Sequence, residues 1–325
     1  MALVLYIVLV NVDPHSDPGS SPESLLAQAY DELRKDLHLA EANAERAWAE
    51  LTAQSEVSGK PIATHLHATY WLCMAHALRS EEVIAAAPHA MEVARQEGDV
   101  ESEVRLLQAT GASHWYLRNM DLALEATKRG IKLCAGKPNC LLTLGALHDL
   151  EGVIYLNMGK LEESLVCFQC AKVVWIDLDN SRKLLGNRIN YACALQHMGD
   201  LSGALLGSLE ARKLLEDIDD RVTRGRLSFN LAIIHKALDD FDLALVEARD
   251  AISHSQATDD FQTLVGAQCI LAEILCDLGD LEGAREYAFL TKTSVADKAP
   301  PLLRVNILSA VGEVFRRLDM PEEAR

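Results

Sequence analysis

The sequence predicts an all-α fold, a solenoid of antiparallel helix hairpins, and three observations carry that expectation. A turn phrase recurs about every 40 residues, small residues recur at fixed distances from it, and apolar residues follow helical spacing between the turns. Met198-Gly199-Asp200-Leu201 and Leu278-Gly279-Asp280-Leu281 are near-copies, with Met158-Gly159-Lys160-Leu161 and Leu238-Asp239-Asp240-Phe241 in the same register. Extending that register from positions 159, 199, 239 and 279 adds Asp319, Arg118, Arg79 and Lys35, which makes eight turns.

Other positions repeat with the turn. Seven residues before it stand Gly111, Gly152, Ala192, Ala232, Ala272 and Gly312; five residues after it stand Ala40, Ile84, Ala123, Ser164, Ala204, Ala244, Ala284 and Ala324. Backbones of two antiparallel helices approach closely only where side chains are small, so each repeat reads as one helix hairpin.

The elements follow in order. Ala2 to Val10 is apolar throughout but far shorter than the roughly 20 residues of a membrane helix. No basic residue precedes it and no small-residue cleavage site follows, against a secretory signal. With the Pro-rich, Gly-rich and Ser-rich stretch after it, it makes residues 1–22 an apolar start and a disordered linker, and residues 23–325 the repeat array. Ser21-Pro22 caps and opens the first helix, which carries Leu25, Leu26, Ala29, Tyr30 and Leu33 on one stripe. Lys60-Pro61 opens another helix and Pro300-Pro301 the last. Leu227, Leu231, Ile234 and Leu238, and Ile270, Ile274 and Leu278, keep helical spacing. Period-two alternation is not sustained anywhere, so strands are not needed. The last long helix, with Leu302, Leu303, Val305, Ile307, Leu308, Val311, Val314, Phe315 and Leu318, is apolar on more than one face, and its partner stops within a turn at Arg325. A terminal repeat should be polar, so this end is expected to continue into more protein, to dock on a partner, or to self-associate.

Composition narrows the partners. The 325 residues carry a formal net charge of −17, without a dense basic run, which disfavours a direct nucleic-acid ligand. Eight cysteines, most in apolar segments, suit buried thiols and a reducing, cytoplasmic setting.

A small residue in the first helix, a Gly-Asp turn seven later, and Ala five beyond that resemble the tetratricopeptide repeat (TPR), over residues 23–325 in about eight units, the last truncated. The usual repeat of that family is about 34 residues, and its helix-start aromatic and inter-repeat proline are mostly missing here. The resemblance implies a right-handed superhelix with the first helix of each hairpin lining a concave groove. Longer repeats of this kind are similar to those in regulatory arms of bacterial signalling proteins, such as some diguanylate cyclases and large transcriptional activators. Carrying over the groove-facing positions of the family selects Arg105, Gln108, Trp115, Tyr116, Asp149, Asn157, Gln196, His197, Phe229 and Lys236 as partner-binding residues. The family's carboxylate-gripping Lys and Asn positions hold instead Asp149, Ile189, Phe229, Val153, Cys193 and Ile233, so an amphipathic helix or extended apolar segment anchored on Trp115, Tyr116 and Phe229 is the expected occupant.

Chemistry beyond binding finds little support. Cys167-Phe168-Gln169-Cys170 lacks a second ligand pair, and His65, His67, Cys73 and His76 spread around one helix, so no metal is expected. No phosphate-cradling loop, paired-histidine helix motif or nucleophile elbow is present, so neither catalysis nor a cofactor is expected. The function read from the sequence is a scaffold that binds a protein or peptide in its groove, with no membrane role. The alternative is the N-terminal sensory arm of a larger signalling protein.

Overall fold

The structure, a computed structural model, describes residues 21–32, 37–59, 61–76, 79–216, 218, 220–258, 260–298 and 301–324. The apolar start, most of the linker and Lys35 lie outside the described residues. Among the described residues the fold is all-α, with fifteen helices and one short 3-10 turn.

The chain divides into two compact units whose boundary falls between Asn187 and Arg188. The first unit contains α1 (Pro22–Glu32), α2 (Leu37–Ser58), α3 (Thr64–His76), α4 (Ser80–Glu97), α5 (Val100–Tyr116), α6 (Met120–Cys134), α7 (Leu141–Asn157) and α8 (Leu161–Asp177). The boundary lies inside α9 (Ser181–Met198). The second unit continues with α10 (Leu201–Leu215), α11 (Arg221–Ala237), α12 (Phe241–Ala257), α13 (Phe261–Leu278), α14 (Leu281–Lys298) and α15 (Pro301–Arg317). Odd and even helices pair as consecutive hairpins, and within each unit successive odd helices also touch, α3 on α5, α5 on α7, α11 on α13 and α13 on α15.

The recurring turn has a backbone reason. Arg118, Gly159, Gly199, Asp239, Gly279 and Asp319 all sit at positive φ, between 56° and 84°, the left-handed region in which a helix ends and only glycine is unstrained. The amide of the residue after each turn donates back into the preceding helix, as Asp200 to Leu195 at 3.0 Å and Asp280 to Leu275 at 2.9 Å. Arg79 departs from the expected register. Its amide donates to Met74 O at 2.9 Å, the bond made elsewhere by the residue after the turn, and its own φ is −81°. Helix α4 therefore stands one residue earlier than extrapolated, and Val83 rather than Ile84 is the fully buried residue at the hairpin contact.

The small-residue pairs meet as expected. A Cβ on Gly152 would lie 2.6 Å from the Phe168 ring, and one on Gly111 2.7 Å from Thr127 Oγ1. Ser164 uses its place differently: its hydroxyl donates to Gly152 O across the hairpin at 2.7 Å. Helix starts are capped by aspartates, with Asp99, Asp200, Asp220 and Asp260 each accepting the amide of the residue three later. At α1 the Ser24 amide donates to Ser21 Oγ, as the Ser-Pro start predicts. Pro61, by contrast, precedes the helix: α3 begins at Thr64, where Ala63 O accepts the first bonds.

One expectation about apolar segments changes. In α15, Ile307, Val311, Val314 and Phe315 are buried against Val265, Cys269, Ala288 and Val295, and Met320 and Ala324 pack beside them. Val305 remains exposed, so most of the described apolar surface of this helix is already covered. Helix α13 is apolar enough over 18 residues to cross a membrane by composition, yet most of it is buried in the core around Leu271.

Candidate ligand-binding groove

Within residues 7–187, the first helices of successive hairpins share a cleft. Leu72 of α3, Arg105 and Gln108 of α5, Leu142, Thr143 and Ala146 of α7, and Lys183 of α9 line it. Their convergence follows from the hairpin stack, which sets α3, α5 and α7 side by side. Arg105 is half-buried, donates to Glu101 Oε1 on its own helix at 2.8 Å, and reaches Thr69 Oγ1 of α3 at 3.5 Å. Arg118, at the turn after α5, donates to Asn157 Oδ1 at the end of α7 at 3.0 Å, and Asn157 donates in turn to Val153 O at 2.8 Å.

Behind the cleft lies a polar node. The buried Asp149 carboxylate accepts the Trp175 indole N–H and the Asn187 amide, each at 2.7 Å, and Asn187 also donates to Phe168 O at 2.9 Å. Burial pushes the Asp149 carboxyl up to about 6; the hydrogen bonds from Asn187 and Trp175 and the charge of Lys183 oppose that rise. Lys183 Nζ lies 5.6 Å from the Trp175 ring centroid.

Within residues 188–325 the first helices are joined by charge. Lys236 of α11 pairs with Glu273 of α13 at 2.8 Å and approaches Asp277 at 3.8 Å, while Arg317 of α15 pairs with Asp277 at 2.5 Å. All four side chains are partly exposed, so the ladder lies on a solvent-facing surface. His197 stays on its own helix, its Nδ1 2.8 Å from Cys193 O.

No family model matches the sequence, and no curated protein does. Solved structures do. A Rap protein complexed with Competence and Sporulation Factor shares 14% identity at a TM-score of 0.62, covering 93% of this chain and 94% of that one. NprR in complex with its cognate peptide NprX shares 12% identity at 0.62, covering 93% and 85%. The APC/C hetero-tetramer Cut9-Hcn1 shares 10% identity at 0.65, covering 93% of this chain and 51% of that one. The chain has a TPR-like fold.

On these TPR-like repeats the residues selected from the sequence fall into two groups. Arg105, Tyr116, Asn157, Gln196, His197 and Lys236 are half-buried and keep accessible surface. Trp115 and Phe229 do not stand free as anchors: they are 3% and 2% exposed. Phe229 sits among Ala232, Ala248, Ala267, Ile270 and Ile274, because alanines at the hairpin contacts let α11, α12 and α13 close over the ring. Trp115 packs against Tyr116, ring centroids 4.5 Å apart. Gln108 and Asp149 are likewise buried, and Asp149 serves the node rather than the surface.

The sequence reading passed over Lys183, which lies sixteen residues before its turn and beyond the groove positions carried over from the family. A lysine in the first turn of a helix, close after Trp175, was the available signal. Cys167 is buried while Cys170 is exposed, so the two thiols point apart, and His65 is exposed while Cys73 and His76 are buried. Among the described residues no three His, Cys, Asp or Glu side chains converge as metal ligands.

Proposed function

We propose that this protein is an interaction scaffold whose first-helix faces bind a peptide or an extended segment of a partner protein. The observation that supports this most directly is the cleft in which α3, α5, α7 and α9 converge, lined by both aliphatic side chains and hydrogen-bonding ones. The likeness to NprR holding its cognate peptide NprX gives the same reading a precedent on this fold. Arg105, Tyr116 and Asn157 in residues 7–187, and Gln196, His197 and Lys236 in residues 188–325, would supply the polar contacts. The buried Trp115 and Phe229 would stiffen the helices that carry them.

A sensory role is the second reading, favoured by the near-complete coverage of a quorum sensor's chain, NprR, by these repeats. In that case the bound peptide is a signal. Selection from a displayed random-peptide library tests the shared core of both readings. The wild type should enrich a sequence family that the double variant Tyr116→Ala, Asn157→Ala no longer retains. Enrichment that survives in this variant, or no enrichment at all, would remove the groove from consideration.

A further inference from the structure

The connection between α6 and α7 folds two cysteines onto each other. Cys134 ends α6, and its carbonyl accepts the Lys137 amide at 3.0 Å; the Lys137 carbonyl in turn accepts the Cys140 amide at 3.1 Å. Gly136 supplies the left-handed residue of the first turn, at φ 71°. These successive turns coil residues 134–140 and bury both thiols in one apolar cluster with Val104 of α5 and Leu147 of α7. There the Cys134 thiol donates a hydrogen bond to the Cys140 sulfur. Both thiols are free and buried, while Ala135, Gly136, Pro138 and Asn139 between them in the chain are exposed. The two sulfurs are not equivalent. Burial pushes the Cys134 thiol up to about 12, and Cys140 adds to the rise. Cys140 is also raised, by burial and by Glu101, but the hydrogen bond from Cys134 and the charges of Lys137 and Arg105 pull the other way. Cys140 is therefore the sulfur that ionises first when the loop opens, with Cys134 held beside it.

We propose that Cys134 and Cys140 form a reversible disulfide by exchange with a small-molecule disulfide, a redox staple between the end of α6 and the start of α7. The Cys140 thiolate attacks one sulfur of the external disulfide, forming a mixed disulfide and expelling one small thiolate. Cys134 then gives up its proton, attacks the Cys140 sulfur and expels the second small thiolate. Two protein thiols and one external disulfide thus become one protein disulfide and two small thiols: the protein loses two electrons and two protons, and the external disulfide takes them up. The oxidised form ties the first turn of α7 to α6, and Leu142 and Thr143 of that turn line the cleft. Exchange waits on opening of the loop, so it is slow beside labelling of the exposed Cys170. The final extent of oxidation depends instead on how closely the fold holds the two sulfurs.

The test equilibrates the full chain in mixtures of reduced and oxidised glutathione, quenches with acid, blocks remaining thiols with N-ethylmaleimide in denaturant and digests with trypsin. Because Pro138 protects Lys137 from cleavage, residues 133–160 come off as one peptide whose only cysteines are Cys134 and Cys140. This peptide should appear two hydrogens lighter and unblocked, while the peptide 161–172, with Cys167 and Cys170, should carry no internal bridge. The folded chain should reach half-oxidation of the pair at a roughly tenfold lower proportion of oxidised glutathione than the chain unfolded in guanidinium. Cys134→Ser, with folding checked by circular dichroism, should trap glutathione on Cys140. A 133–160 peptide that keeps both thiols at every ratio overturns the proposal, and so do glutathione adducts on both cysteines without an internal bridge. Half-oxidation at the same ratio in folded and unfolded chains overturns it too, since the fold would then contribute nothing. These three outcomes are read on the wild type, so they stand even if the serine variant fails to fold.

Discussion

Asp149 and Trp175 hold α7 and α8 together through a 2.7 Å hydrogen bond from the indole N–H to a buried carboxylate. The ordinary carboxyl value is 3.8, and burial here raises it to about 6. Below about pH 4 the group is protonated in both folded and unfolded chains, and its burial carries no charge penalty. As pH rises through the window up to about 6 the unfolded chain ionises first, so stability is lost, on the order of 3 kcal/mol, and then levels off. Urea midpoints for the wild type should therefore fall across this window relative to those of Asp149→Asn, which cannot ionise. Parallel curves would show that the carboxylate is solvated.

Gly152 and Gly207 make opposite predictions although both lie inside helices. A methyl at Gly152 meets the fully buried Phe168 ring at 2.6 Å, and overpacking of that kind costs about 1–3 kcal/mol. A methyl at Gly207 meets only Ala192 Cβ at 3.4 Å, an ordinary contact, and Gly→Ala within a helix gains about 0.5–1 kcal/mol. Thermal denaturation should show Gly152→Ala less stable and Gly207→Ala more stable than the wild type. The same sign for both would mean that propensity, not the close hairpin contact, governs these sites.

Turn residues invite a reciprocal exchange. Asp239 holds φ 60° and Gly199 φ 84° at equivalent positions. Asp239→Gly should stabilise and Gly199→Ala destabilise, each by about 1 kcal/mol, because a side chain in the left-handed region crowds its own backbone. Nothing lies within 4 Å of the Cβ that Gly199→Ala would add, so its effect reports backbone strain alone.

These turns explain why the hairpins were legible. A left-handed residue at 159, 199, 239 and 279 restricts the sequence to Gly or Asp, and the contact seven residues earlier restricts it to Gly or Ala, so two constraints repeat together. Near Arg79 the phrase is degenerate, and only the bond to Met74 O shows that Arg79 follows the turn rather than forming it. The binding face was less legible. Phe229 and Lys236 are two turns of one helix apart, yet one is sealed by alanines of neighbouring helices and the other meets Glu273 of α13. Burial of that kind depends on the spacing between repeats, which no single repeat encodes. Lys183 was missed for the same reason: the cleft it lines exists only where α3, α5, α7 and the start of α9 come together.

The cysteines give a last prediction that reaches from burial to chemistry. Cys167 and Cys170 are three residues apart on α8, but Cys167 faces the core and Cys170 the solvent. A thiol reagent attacks the thiolate, so exposure and ionisation must coincide for fast labelling. Burial raises the thiols of Cys73, Cys134, Cys193 and Cys269 to about 12 and pushes Cys167 up further still, which leaves almost no thiolate at neutral pH. Cys276 is half-buried, and its thiol is also raised, chiefly by burial. Labelling of the folded protein with a maleimide at neutral pH, followed by intact mass, should show one fast addition that Cys170→Ser removes. All eight thiols should react once the chain is unfolded in guanidinium. Two fast additions shared by Cys167 and Cys170 would place both on the same face of α8 and reopen the reading of that pair as metal ligands.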